Sequence, residues 1–139
     1  MLTRVLLVFA LICAMGSAAM AEEAKVVALG LGDRAMTEEE LAKGETPPVP
    51  RFNSPGVAYV LAANLKKGDI LEIALVKDGK PLMHNTETLA KDEAKLLLQA
   101  GKRGVPAGGW PDGSYAANLK ITRDGKTIVE QTSEAMPFE

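Results

Sequence analysis

Apolar and polar residues alternate cleanly near the end of the chain. Tyr115, Ala117, Leu119 and Ile121 point one way, and Ala116, Asn118, Lys120 and Thr122 the other. Period two over eight residues predicts a half-buried strand with a small and polar outer face. The same alternation sets Val57, Tyr59, Leu61, Ala63 and Leu65 on one face of an earlier strand. Ile70 to Lys77 is apolar on both faces apart from Glu72, the pattern of a central strand. Ala24 to Leu31 reads as a first strand bounded by Gly32-Asp33. Asp78-Gly79 and Asp124-Gly125 are the strongest short hairpin signals in the chain, and they predict return strands over Lys80 to about Thr88 and Lys126 to about Ser133. Val76-Lys77-Asp78-Gly79-Lys80 echoes Thr122-Arg123-Asp124-Gly125-Lys126, so two similar hairpins are expected.

Three segments break the β pattern. Thr37-Glu38-Glu39-Glu40 matches a capping box, with a Gly stop at Gly44, and predicts a short helix or ordered loop near 37–44. Three prolines between Pro47 and Pro50 enforce an extended crossing from the first strand to the body of the domain. Residues 89–101 (LAKDEAKLLLQAG) are helical by propensity and a strand by context; a strand over Lys95 to Ala100 preceded by a helical turn is the reading taken. Roughly seven short strands with regularly spaced turns indicate an all-β sandwich or barrel, and the stretch around Trp110 favours the antiparallel sandwich.

Trp110-Pro111-Asp112-Gly113 suits a type I turn, and Asp112-Gly113-Ser114-Tyr115 looks like a tyrosine corner, in which the Tyr that opens a strand hydrogen-bonds back to the preceding corner. From about Lys25 to Glu139 the layout resembles small secreted bacterial immunoglobulin-like domains of unknown function. The matching residues are Gly109, Trp110, Gly113, Tyr115 and Gly125. The Cys of antibody domains is replaced by Ala117. The resemblance implies an immunoglobulin-like sandwich held by a structural corner of Trp110, Asp112, Gly113 and Tyr115, and it carries no activity.

The N-terminal run changes where this domain is expected to act. A short positive end containing Arg4, an unbroken apolar run from Val5 to Met15, and Ala19-Met20-Ala21 form the pattern of a cleaved signal peptide over 1–21. The mature start falls at Glu22, with cleavage after Ala18 or Ala19 as alternatives. The apolar run is too short for a comfortable membrane span. Cys13, the only cysteine, follows Ile12 inside that run, which fits lipoprotein processing poorly. Removing residues 1–21 from the 139 leaves 118, one domain without a thiol. Export to the periplasm is the first expectation and secretion the second.

Loss of Arg4 takes the formal net charge from −2 to −3, with the charges interspersed. A nucleic-acid partner needs a concentrated basic face, and none is present. A membrane-surface helix is missing for the same reason. Catalytic chemistry finds no constellation. Ser54, Ser114 and Ser133 lie outside any nucleophile elbow, and the carboxylate pairs fall at ends and turns. No cofactor is implied. His84 is the only histidine, and beside Met83 it raises periplasmic copper, since imidazole and thioether both suit Cu(I). Neighbouring strand residues face opposite ways, however, and Met36 and Met136 would have to join from distant segments. What remains is a non-catalytic binding or accessory domain that recognises an envelope protein. Its candidate loops are Arg34 to Ser54 and Gly101 to Gly109, with Arg34, Arg51, Lys102 and Arg103 as their positive groups. A small-ligand or copper carrier, or a module of an envelope enzyme or secretion complex, are the alternatives.

Overall fold

The protein, seen in a computed structural model, is described over residues 23–102 and 105–139; the predicted export segment with Cys13, and Arg103, lie outside the described residues. Seven strands and one short helix follow in chain order. They are β1 (Lys25–Gly32), α1 (Glu38–Ala42), β2 (Gly56–Leu65), β3 (Ile70–Lys77), β4 (Lys80–Thr88), β5 (Glu93–Lys102), β6 (Tyr115–Arg123) and β7 (Lys126–Thr132). They form two antiparallel sheets, β1-β2-β5 and β4-β3-β6-β7. Strands one, two and five against three, six and seven is the partition of the immunoglobulin sandwich, with β4 joined to β3 rather than to β5.

The core lies between the sheets. Leu71, Ile73 and Leu75 from β3 meet Tyr115, Ala117, Leu119 and Ile121 from β6, with Ala58, Val60, Ala62 and Leu98 facing them from the other sheet. The β6 residues are those the alternation selects. On β2 the outcome is richer than alternation alone suggests. Both of its faces are buried, and the inter-sheet core takes Ala58, Val60 and Ala62. Tyr59 and Leu61 point outward into a second cluster with Met36 and Leu41. Period two groups Leu65 with Tyr59 and Leu61, yet it joins the inter-sheet core. The reason is Asn64, whose φ of 59° puts one left-handed residue in the strand and turns its neighbour to the other side.

The segment after β1 supplies the cover for that second cluster. Thr37 caps α1 in a full capping box: its Oγ1 accepts from Glu40 N at 3.2 Å, and Glu40 Oε1 accepts from Thr37 N at 3.2 Å. The proline crossing folds back on β1, where Asp33 N donates to Pro48 O. The outer face of the three-stranded sheet is thereby capped, while that of the four-stranded sheet carries no such cover among the described residues.

Both Asp-Gly pairs form hairpins with the primed geometry that the sheet twist favours. Asp78 and Gly79 have φ of 51° and 79°, Asp124 and Gly125 52° and 77°. The echo between them extends past the turn. Each return strand carries one extra residue, Leu82 in β4 and Ile128 in β7. The ambiguous stretch is strand β5. Before it the chain makes a bend rather than a helical turn, because Leu89 is tied to the β2–β3 connection: Gly68 N donates to Leu89 O, and Leu89 N to Asp69 O, both at 2.9 Å. Those two bonds leave no carbonyl ladder for a helix to propagate.

Candidate functional site

One end of the sandwich gathers the ends of β1, β3 and β5 and the starts of β2, β4 and β6, since Gly32 pairs with Val57, Gly56 with Lys102, and Lys77 with Tyr115. The two candidate loops, 34–54 and 101–109, therefore leave from the same end, joined there by the segment after β7, whose Met136 pairs with Tyr115.

Three aromatic rings build the floor of this end. Tyr115 and Phe138 stack with centroids 4.0 Å apart and planes 6° from parallel. Trp110 meets both edge-on, at 5.8 Å and 5.4 Å, the arrangements that aromatic quadrupoles favour. Polar atoms of the rings are satisfied. Tyr115 Oη donates to Pro111 O at 2.6 Å, and Trp110 Nε1 to Ser54 O at 2.7 Å. Trp110 N donates to Phe52 O, stitching the loop before β6 to the loop before β2. Gly56 is required by this contact, since a Cβ there would lie 2.9 Å from Trp110 Cζ2. Burial of the Tyr115 ring raises the pKa of its phenol above the ordinary value, so the hydroxyl stays a donor. Asp112 is exposed, in a bend with Gly113 rather than a regular turn. The carboxylate that does organise the corner is Asp78. Its Oδ1 accepts from Ser114 N at 2.9 Å while Asp78 N donates to Ser114 O at 2.8 Å. The Ser114 amide, and then Lys77, hold this carboxyl below the usual range.

Above the floor opens a groove of about 490 Å³ lined by Lys77, Leu82, Met83, Pro106, Trp110 and Pro111. Its walls are mostly carbon. Leu82, the extra residue of the β4 bulge, is 47% exposed; the bulge turns an apolar side chain to solvent at the groove's rim. Val105 and Phe52 stand exposed in the neighbouring loops. A second depression of about 540 Å³ lies between Val49, Pro50 and Arg51 on one side and Glu134 to Pro137 on the other.

The remaining candidates are dispersed. Arg34 sits over the outer face of the three-stranded sheet, spent on Glu40 Oε2 at 3.1 Å and Met36 Sδ at 3.2 Å. Arg51 lines the second depression, and Lys102 closes β5. His84 is exposed on β4, whereas Met83 packs against the inter-sheet core and Met36 belongs to the other cluster. Among the described residues no group of three or more His, Cys, Asp or Glu could hold a metal ion. Ser54 and Ser133 are occupied by backbone: Ser54 Oγ accepts from Arg51 N, and Ser133 Oγ from Ala117 N.

Sequence reasoning missed one constellation, at the opposite end. Asp69 is fully buried, and Arg123 grips it with two hydrogen bonds of 2.8 Å from Nε and Nη2. Lys66 N donates to the same carboxylate at 2.8 Å. These bonds, Arg123 foremost, hold the Asp69 carboxyl below its ordinary value against the cost of burial, and Asp69 raises the Arg123 guanidinium in turn. Asp69 reads as a turn residue and Arg123 as a strand end; nothing local links them across fifty-four positions. No protein-family model matches the chain, and no curated protein or solved structure is similar to it.

Proposed function

We propose that this protein is an exported, non-catalytic binding domain that recognises a protein partner of the cell envelope through the loop end of its sandwich. The observation that carries this reading is the apolar groove at the rim of that end, with Leu82 turned outward by a bulge over a floor fixed by Trp110, Tyr115 and Phe138. Sandwich domains present variable loops on a rigid frame, and an apolar cleft bordered by exposed side chains suits a protein segment. The Tyr115 and Ser54 hydroxyls and the Asp78 carboxylate nearby are engaged by backbone groups, which supports binding over chemistry. The export pattern of residues 1–21 supports the envelope as its location. The test is photo-crosslinking in intact cells from a probe at Leu82, with a probe at Lys120, on the open face of the four-stranded sheet, as the reference. A discrete envelope-protein adduct from Leu82 and none from Lys120 is expected. Equal labelling from both, or none from Leu82, removes the reading in favour of a small-ligand carrier.

A further inference from the structure

Four strands end the two sheets: β1 and β5 in one, β4 and β7 in the other. Three of them are interrupted by a one-residue bulge, at Val27 in β1, Leu82 in β4 and Ile128 in β7. A bulge bends an edge strand and breaks the row of donors and acceptors that another chain would pair with. β5 has no such device. Its register on β2 runs without a shift from Glu93 to Lys102. In constant-type immunoglobulin domains the fourth strand covers this edge. Here β4 turns to β3 instead and leaves it open.

One side chain reaches the open edge from β4: Asn85 Nδ2 donates to Gln99 O at 3.0 Å. The bond shows that the Gln99 carbonyl faces away from β2. By the alternation of an antiparallel strand, the backbone groups of Lys95, Leu97 and Gly101 face the same way. Leu96 and Leu97 are each only partly buried, one against the inter-sheet core and the other against the outer cluster.

We propose that β5 pairs antiparallel with β5 of a second copy of this chain across a two-fold axis at Leu97, joining the two three-stranded sheets into one. Self-complementarity argues for a second copy. The segment is acidic at its start, with Asp92 just before the strand and Glu93 as its first residue, and basic at its end, with Lys102. Antiparallel pairing about Leu97 sets Asp92 opposite Lys102, Glu93 opposite Gly101 and Lys95 opposite Gln99. No like charges face one another, and Leu96 falls opposite Leu98. The Gln99 carbonyl exchanges the Asn85 amide for the backbone N–H of Lys95 in the second copy. This surface is separate from the corner groove and does not depend on it.

Sedimentation of the purified protein over a concentration series, with amide hydrogen exchange, tests the pairing. A reversible dimer is expected, with protection of the Leu97 N–H that rises with concentration. Leu97→Lys places two ammonium groups at the axis and is expected to weaken self-association about tenfold or more. Because Leu97 also touches the outer cluster, a swap of the facing charges provides an independent check: Asp92→Lys and Lys102→Asp each weaken the dimer, and the double variant restores it. A monomer at every concentration up to about 1 mM, or a dimer indifferent to these changes, overturns the proposal. So does a swap that fails to restore pairing.

Discussion

The two ends of the sandwich are closed by different chemistry. At the loop end, Trp110, Tyr115 and Phe138 interlock, and the polar groups are spent on backbone carbonyls. At the other end a single buried carboxylate, Asp69, is held by Arg123 and by the amide of Lys66. The aromatic closure draws its strength from area and shape, which are indifferent to pH. The ionic closure draws on two charges removed from water, and it is favourable only while both are present and matched. The loop end can therefore support long, variable loops on a floor that does not titrate, with the Asp78 carboxylate on Ser114 N steadying its corner, whereas the far end is bounded by short turns that the ion pair holds in place.

The largest test of that contrast is Trp110→Ala. It empties the centre of the aromatic floor and leaves the Ser54 carbonyl without its donor, at a cost of about 4 kcal/mol in chemical denaturation. The loss is expected to be the same at pH 4 and pH 7. Next is Arg123→Ala, which strands the Asp69 carboxylate and is expected to cost about 3 kcal/mol at neutral pH. Here the pH dependence separates the two ends. Asp69 is depressed in the folded state, so its contribution is present above the ordinary Asp value of about 4 and fades as pH falls through the folded value. Wild type and Arg123→Ala should converge in that acidic window. A penalty that stays constant with pH would show that the pair acts through packing alone. The smallest effect is Tyr115→Phe. It removes only the bond to Pro111 and keeps the stack on Phe138, lowering stability by about 1 kcal/mol; an unmoved melting temperature would show that the stack alone fixes the corner.

What the chain discloses to a reader and what it conceals follow the range of the interactions. The Asp-Gly hairpins, the capping box at Thr37 and the inward face of β6 are decided by neighbours within four positions, and each is legible. The β2 face beyond Asn64 is not, because one left-handed residue inverts the alternation that period two assumes. Nor is the partner of Asp69, since its Arg lies in a strand brought close only by the β3–β6 pairing. In the site, Trp110 and Tyr115 stand out by rarity and turn context. Leu82 has no such mark: its exposure comes from a bulge, and bulges are set by the register of two strands rather than by the residue that occupies them.

The two Asp-Gly hairpins both lie in the four-stranded sheet. The three-stranded sheet holds none: β1 reaches β2 only after the helix and the proline crossing, and β2 reaches β5 only after the whole β3–β4 hairpin. The loop-closure entropy spared by the tight turns therefore falls on one sheet alone. In kinetic terms the molecule is divided: a half that pairs locally serves as the template on which the half of distant pairings assembles.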